Sequence, residues 1–325
     1  MFGAVAVLLS PLFFTIYRAM IFDTIPRDDY ATFLLWVARS PQGAIPDSPY
    51  CYRLLTMLAA LPFHMLLPVL QFSGQPQVRS IEYMQATAAI AALSYVCAIL
   101  AGFLSYATAR AQCGLGRRDA VLAGVLLFAL CWHGQMFGID SVSIAVLAAA
   151  LWALPSLFGF AAVALLSVGF NEKIGIVLVV WLTARLVCDR GERAWVWPRW
   201  LAALSAVAVY AAILKTLNMP GNEYQTQPLG YLVTLRDNLA ATASMRGILL
   251  NLLPTAILAA IATLGWGRRI GPFRAADSLT IPALVLVSLI LTQMFQMGRI
   301  VMHAAPLFVI PAAAAFGRWA DRAER

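Results

Sequence analysis

The chain has 325 residues, of which 62% are hydrophobic and only 12% are charged, and its formal net charge is +8. Soluble domains carry about 25% charged residues, so this composition excludes a soluble protein and indicates an integral membrane protein. All but two of the 23 basic residues are arginine, and they are dispersed without interleaved aromatic side chains. The charge therefore indicates arginine-rich cytoplasmic loops and contact with anionic head groups, and not nucleic-acid binding.

Apolar stretches in chain order predict about ten transmembrane helices. A span needs about 20 mainly apolar residues, and the candidates lie near 2–22, 81–109, 120–138, 139–154, 157–170, 173–188, 200–217, 247–266, 278–297 and 300–316. The first is expected to be a retained span, because it lacks the basic start and the small-residue cleavage site of a signal peptide. The apolar segment 54–72 is interrupted by Pro62 and Pro68 and is interpreted as re-entrant or interfacial. We therefore expect one all-α domain, 1–325, with eleven spans as the alternative if 54–72 crosses.

Four clusters of basic residues fall on the same side of the ten-span arrangement. They occupy the loops around 110–118, 185–199 and 268–274 and the C-terminal segment. The positive-inside rule assigns that side to the cytoplasm, together with both termini, in a bacterial-type plasma (inner) membrane. The extracytoplasmic side then receives the loops 23–53 and 218–245 and the short turns at 135–140, 170–173 and 298–299. In the eleven-span alternative, the loop 23–53 would face the cytoplasm.

The loop 23–53 is the most acidic loop of the chain, with aspartates at 23, 28, 29 and 47. From Asp28 onward it reads as a short amphipathic helix whose apolar positions, Phe33, Trp36 and Val37, are typical of a helix lying flat on a bilayer. One of the two carboxylates at the start of this helix, Asp28 or Asp29, could simply be a helix cap. A helix needs one cap, so capping does not explain the second carboxylate. Arg53 closes the loop, either as a snorkelling anchor or as a phosphate ligand.

Further ionisable residues lie at predicted membrane edges, where such groups are costly and usually face a partner or a cavity. Asp140 opens one predicted span. Glu172 and Lys173 open another, either as a local ion pair or with Lys173 on an anionic substrate group that Glu172 orients. Arg299 lies in a turn between spans and needs an anion, for which Asp140 or a lipid phosphate would serve. His303, one helical turn later, is more typical of a hydrogen-bonding group in the core.

No sequence pattern predicts a bound nucleotide or a metal centre. The five cysteines show no metal-ligand spacing, the three histidines are isolated, and neither phosphate-loop nor dinucleotide-binding glycine motifs occur. A divalent cation would fit near the paired carboxylates of the first loop, but no pattern requires one. A transporter is typically built from internal repeats, and no convincing repeat is present.

The order of these features resembles the GT-C class of membrane glycosyltransferases over most of the chain. The matching segments are a first span, an acidic loop with an amphipathic helix, a basic turn and three later motifs: Tyr52-Arg53-Leu54-Leu55, Gly138-Ile139-Asp140-Ser141 and Arg299 through Pro311. The chain departs from the pattern where Glu172-Lys173 replaces a Lys-Glu pair and where Leu54 follows Arg53 in place of proline. No soluble C-terminal domain follows, from which we expect a minimal enzyme or one that depends on a partner subunit.

The resemblance implies an inverting transfer of a hexose or pentose from a polyprenyl-phosphate donor to an envelope glycan, lipid or protein. Asp29, or else Asp28, would deprotonate the acceptor hydroxyl on the extracytoplasmic side. The candidate substrate-binding residues are Arg53, Asp140, Glu172, Lys173, Arg299 and His303, of which the arginines and the lysine would stabilise the leaving phosphate. The alternatives are a flippase, transporter or polymerase of lipid-linked glycan precursors, an acyltransferase with a membrane histidine, and a non-catalytic scaffold.

Overall fold

The structure, a computed structural model, describes residues 29–39, 53–66, 81–135, 140–217, 230–265, 269–291 and 297–323. Within these ranges the chain is all-helical, without β-strands. The helices are α1 (Asp29–Ala38), α2 (Leu54–Leu66), α3 (Ile81–Ala111), α4 (Arg117–Gln135), α5 (Asp140–Ala153), α6 (Leu157–Phe170), α7 (Glu172–Cys188), α8 (Arg193–Leu217), α9 (Gly230–Thr242), α10 (Met245–Leu264), α11 (Thr280–Leu291), α12 (Met297–His303) and α13 (Pro306–Ala323). The predicted all-α class is confirmed for the described residues.

Within the described ranges, three helical segments are long and apolar enough to cross a membrane, namely Glu82–Ala111, Arg190–Ile213 and Met245–Leu264. A fourth would form if α12 and α13, which meet at a bend of 65°, make one broken span. Helices such as α5 and α6, with 14 residues each, extend about 21 Å and are shorter than the apolar layer of about 30 Å. The structure is therefore compatible with a helical membrane protein, whereas the count of ten spans stays a prediction.

Two predicted connecting segments contain helices. The segment 54–72 holds α2, a 13-residue helix with Pro62 inside it, and Pro68 lies outside the described residues. The predicted loop 218–245 contains α9, so it is not irregular throughout. The predicted first span, 2–22, also lies outside the described residues.

The four basic segments of the sequence meet at one end of the bundle, which we call the basic end. A Cβ on Gly271 would lie 2.6 Å from the carbonyl oxygen of Gln112, so the loops 112–116 and 269–274 are in direct contact. Arg269 donates to Glu192 at 2.9 Å and thereby joins the second of these loops to the start of α8. The C-terminal helix reaches the same end, because Gly317 lies against the carboxylate of Asp119.

The helix α1 packs inside the protein. Tyr30, Phe33 and Leu34 are buried at i, i+3 and i+4, and the ring of Phe33 stacks on Trp36 at 5.7 Å. An ion pair between Arg39 and Glu82 links the end of this helix to the start of α3. The amphipathic pattern is present, but the expectation that Phe33 lies on the bilayer is wrong, because the bundle covers the apolar face.

A π-helical turn, Ile248–Leu252, interrupts α10. Its buried Asn251 accepts a hydrogen bond from the backbone N–H of Gly298 at 3.3 Å and donates one to Thr242 at 3.2 Å. A Cβ on Gly298 would collide with the carbonyl oxygen of Leu250, so the start of α12 lies directly on this turn. Arg299, the residue after Gly298, thus lies next to a π-helical turn. Such turns occur often at functional sites.

The helices α3 and α4 approach closely at a pair of glycines. A Cβ on Gly124 would lie 2.8 Å from the carbonyl oxygen of Gly102. Small residues allow such close backbone contacts between helices in membranes.

We expect Gly124→Leu to lower the free energy of unfolding by about 1–3 kcal/mol, because the larger side chain must push the two helices apart. Unfolding of the detergent-solubilised protein would measure the loss. Gly116→Ala is the control, since a Cβ at Gly116 meets nothing within 4 Å. Equal stability of the Gly124→Leu and Gly116→Ala variants would contradict the tight helix contact.

Candidate functional site

Ionisable side chains from five segments meet at the end of the bundle opposite the basic end. We call them the buried ion cluster, which consists of Tyr30 from α1, Arg53 before α2, Asp140 from α5, Glu172 and Lys173 from α7, and Arg299 and His303 from α12. Three of the helices, α1, α5 and α7, begin at an acidic residue, where the helix dipole favours negative charge. Asn171 caps α7 by accepting from the N–H of Lys173 at 3.1 Å, and it donates to Ser143 of α5 at 2.7 Å. These two bonds hold the starts of α5 and α7 side by side.

Arg53 and Glu172 form a two-pronged ion pair. Nε of Arg53 donates to Oε2 of Glu172 at 3.0 Å, and Nη2 donates to Oε1 at 2.6 Å. The arginine is only 2% exposed, so it does not snorkel towards lipid head groups. Glu172 consequently forms its ion pair with an arginine 119 positions earlier, while Lys173 lies within electrostatic range of the same carboxylate.

Arg299 pairs with Asp140, the partner that the sequence suggested. Its Nε donates to Oδ2 of Asp140 at 2.5 Å, and both residues are buried. His303 lies on the same face of α12, with Nε2 at 3.2 Å from Oδ1 of Asp140, although the angles are not those of a hydrogen bond. Asp140 thus holds Arg299 of α12 at the start of α5, and His303 lies close to the same carboxylate.

Tyr30 joins the two ion pairs, and the sequence analysis did not identify it as a site residue. Its hydroxyl oxygen accepts a short hydrogen bond from Nη1 of Arg53 and another, at 3.3 Å, from Nη2 of Arg299. The guanidinium of Arg53 also lies 5.7 Å from the centre of the Tyr30 ring. One feature of the sequence could have identified Tyr30, namely its position on the apolar face of α1. A tyrosine on a buried face needs a polar partner for its hydroxyl group, so polar residues were to be expected nearby.

Lys173 lies within electrostatic range of Arg53, Arg299, Glu172 and Asp140. Among the described side chains, the cluster therefore holds three cations against two carboxylates, and the difference is +1 with His303 neutral. Charges interact strongly in a buried, poorly solvated environment. Asp28 and the side chain of Asp29 lie outside the described residues and are not included in this count.

The two predicted catalytic residues lie at the boundary of the described part of the chain. The helix α1 begins at Asp29, the residue before Tyr30, so the Asp29 backbone lies one Cα step, about 3.8 Å, from that of Tyr30. The side chain of Asp29 and the whole of Asp28 lie outside the described residues. The fold thus brings the start of the acidic-loop helix to the arginines that were predicted to bind phosphate.

The divalent cation that would fit near Asp28 and Asp29 falls outside the described residues. Within the described ranges, no group of three or more His, Cys, Asp or Glu residues could hold a metal. The described carboxylates of the cluster are instead engaged by Arg53 and Arg299, which they hold in fixed orientations. Fixed guanidinium groups are well matched to phosphate oxygens.

We expect Asp140→Asn to lower the free energy of unfolding by about 3–5 kcal/mol, because Arg299 loses its carboxylate in a buried environment. Adding Arg299→Gln should restore part of this loss, and unfolding of the purified variants would measure both effects. The exposed pair Arg236–Asp237 at 2.8 Å provides the control, since Asp237→Asn should cost less than about 1 kcal/mol. Equal losses for Asp140→Asn and Asp237→Asn would contradict a coupled buried pair.

The resemblance to GT-C glycosyltransferases rests on the order of the residues in the sequence. No protein-family model, curated protein or solved structure matches the chain. The roles of the clustered residues are therefore inferred from their own geometry and charge.

Proposed function

We propose that this protein is a membrane glycosyltransferase that takes its sugar from a polyprenyl-phosphate donor. The acceptor is a hydroxyl group of an envelope glycan, lipid or protein, and transfer takes place on the extracytoplasmic side. The buried ion cluster binds the donor phosphate, and a carboxylate at the start of α1 acts as the base.

The observation that carries this proposal is the convergence of two guanidinium groups on one oxygen atom. Nη1 of Arg53 and Nη2 of Arg299 both donate to the hydroxyl of Tyr30, and they come from segments 246 residues apart in the chain. A phosphate oxygen in the same place would accept the same two hydrogen bonds with a full negative charge. Charge-assisted hydrogen bonds are about twice as strong as neutral ones, so a phosphate would compete well with the tyrosine.

The reaction is a single displacement at the anomeric carbon of the sugar. Asp29 removes the proton from the acceptor hydroxyl, whose oxygen then forms a bond to that carbon. The bond between the carbon and the phosphate oxygen breaks at the same time, and its electron pair leaves with polyprenyl phosphate. Arg53, Lys173 and Arg299 stabilise the charge that develops on this leaving group. Because attack and departure occur on opposite faces, the anomeric configuration is inverted.

Glu172 and Asp140 act as positioning residues in this scheme. Each fixes one arginine through its Nε atom, and Glu172 also holds Nη2 of Arg53. Nη1 of Arg53 and Nη2 of Arg299 point towards Tyr30 and hence towards the start of α1. Preorganised donors of this kind stabilise developing charge without reorganisation during the reaction.

We expect Asp29→Asn to reduce sugar transfer by about 10²–10⁴-fold, the usual contribution of a general base. Transfer from a panel of radiolabelled polyprenyl-phosphate sugars in membranes would measure activity. Binding of unlabelled polyprenyl phosphate can be measured by the thermal stabilisation that it causes. This binding should be unchanged in Asp29→Asn, and an unchanged value would also show that the variant is folded. Arg53→Gln should instead weaken that binding.

Asp28→Asn and Asp237→Asn complete the series. Loss of transfer in Asp28→Asn alone would assign the base to Asp28, and Asp237→Asn should retain full activity. A flippase, transporter or scaffold tolerates all three substitutions. Full transfer in both the Asp28→Asn and the Asp29→Asn variants would therefore overturn the proposed chemistry.

The side of the membrane that the acidic loop faces can be tested directly. In a cysteine-free background, which removes Cys51 from the same loop, a single cysteine at Asp47 should react with a membrane-impermeant maleimide in intact cells. Position 47 lies outside the described residues. The control Arg193→Cys, at the basic end, should react only after lysis, because the positive-inside rule assigns that end to the cytoplasm. Labelling of position 47 only after lysis would place the loop in the cytoplasm and overturn the extracytoplasmic glycosyltransferase.

A further inference from the structure

The basic end of the bundle contains a cavity of about 610 Å³, within the usual size range of ligand sites. It lies where α3, α5 and α7 end and α8 begins, and its lining includes Gln112, Leu154, Arg185, Glu192, Trp195 and Arg274. None of these residues belongs to the buried ion cluster. The cavity is therefore a separate candidate site, at the opposite end of the bundle.

The charges around this cavity favour an anion. Four arginines contact it or its lining residues, namely Arg185, Arg199, Arg269 and Arg274, and three carboxylates face them, from Asp189, Glu192 and Asp277. The formal net charge of these seven described side chains is therefore +1. The backbone carbonyls of Leu154 and Trp195, and not a carboxylate, accept the principal hydrogen bonds of Arg199 at 2.8–3.0 Å.

One buried donor at the cavity lacks a hydrogen bond. Arg185 is fully buried, and its Nε and Nη2 donate to Asp277 at 2.7 and 2.9 Å. Its remaining nitrogen, Nη1, makes no hydrogen bond and lies 3.7 Å from Oε2 of Glu192. Glu192 also pairs with Arg269 and Arg274, so a single carboxylate is shared by three arginines at the cavity, and a further anion there would relieve this shortage of negative charge.

Three exposed aromatic residues lie close in the sequence to residues that line the cavity. Trp152, Phe158 and Trp197 are 42%, 84% and 51% exposed, and each lies two or three residues from a lining residue. Aromatic residues, tryptophan above all, are enriched where a membrane protein meets the head-group region of a bilayer. The candidate span Arg190–Ile213, which begins at the cavity, has only 22% of its most apolar stretch buried in the protein. An apolar chain would thus have exposed surface beside the arginines.

We infer that this cavity binds the phosphate-bearing head group of an anionic phospholipid. The head group would lie against Arg185 and Arg274, and its acyl chains would pass along the exposed aromatic residues and α8. Basic pockets between helices on the cytoplasmic side of membrane proteins bind such head groups. The lipid would connect α3, α5, α7 and α8 at their ends, and the inference does not depend on the proposed transferase activity.

The test is lipid binding to the whole purified chain in detergent, with bound lipids counted by native mass spectrometry during titration with phosphatidylglycerol or phosphatidylcholine. We expect wild type to prefer phosphatidylglycerol and Arg274→Gln to lose about tenfold in affinity, the value of one charge-assisted hydrogen bond. This variant should fold, because Glu192 keeps Arg269 at 2.9 Å. Ala194→Trp is a second variant that leaves every charge in place, since Ala194 is an exposed residue of the lining and a larger side chain there fills the cavity.

Arg236→Gln, an exposed arginine outside the basic end, is the matched control and should bind as wild type does. Equal binding of the two lipids by wild type would overturn the inference, as would unchanged binding in both Arg274→Gln and Ala194→Trp. Inorganic phosphate provides the remaining comparison. If millimolar phosphate stabilises wild type as strongly as phosphatidylglycerol does and Arg274→Gln abolishes this effect, the ligand is a soluble phosphate compound and the lipid assignment is overturned.

Discussion

The hydroxyl oxygen of Tyr30, held between the guanidinium groups of Arg53 and Arg299, is the contact on which the rest of this end of the bundle depends. Each arginine is buried and has a carboxylate behind it. Removing one partner from such a pair costs far more than breaking an exposed pair. The tyrosine therefore ties the first described helix to the segment at Arg53 and to α12 near the end of the chain, and the relative positions of these three segments are fixed together.

Most members of the cluster could be identified from the sequence, because an ionisable side chain at a predicted membrane edge costs free energy. That cost can be recognised for each residue by itself. The sequence did not identify all the partners, because pairing is a property of the fold. Glu172 and Lys173 are neighbours in the sequence, yet adjacent positions of a helix do not face each other. Glu172 instead reaches Arg53. The correct pairing of Arg299 with Asp140 was available because few acidic residues lie at comparable positions.

The same distinction applies to α1 and to the spans. Helical periodicity predicted that one face of α1 is apolar, but periodicity does not state whether lipid or protein covers that face. Hydropathy indicated the membrane class, and the structure contains three helices with the length and composition of spans. Short helices such as α5 are as apolar as membrane spans but are too short to cross a bilayer alone. They were counted as spans because hydropathy was read without regard to helix length. Tyr30 was missed because its function depends on the two arginines that contact it.

The distance along the chain between Asp140 and Arg299 has a consequence for biosynthesis. The two residues are 159 positions apart, and ribosomes add about 5–20 residues per second, so roughly 8–30 s separate the synthesis of the aspartate from that of its arginine. The Arg53–Glu172 pair, 119 positions apart, is available earlier. During the interval the Asp140 carboxylate must be protonated or remain at the aqueous edge, because a lone charge is costly in the membrane. The arrival of α12 therefore completes the cluster, and a chain that stops before Arg299 lacks the second of its two arginine–carboxylate pairs.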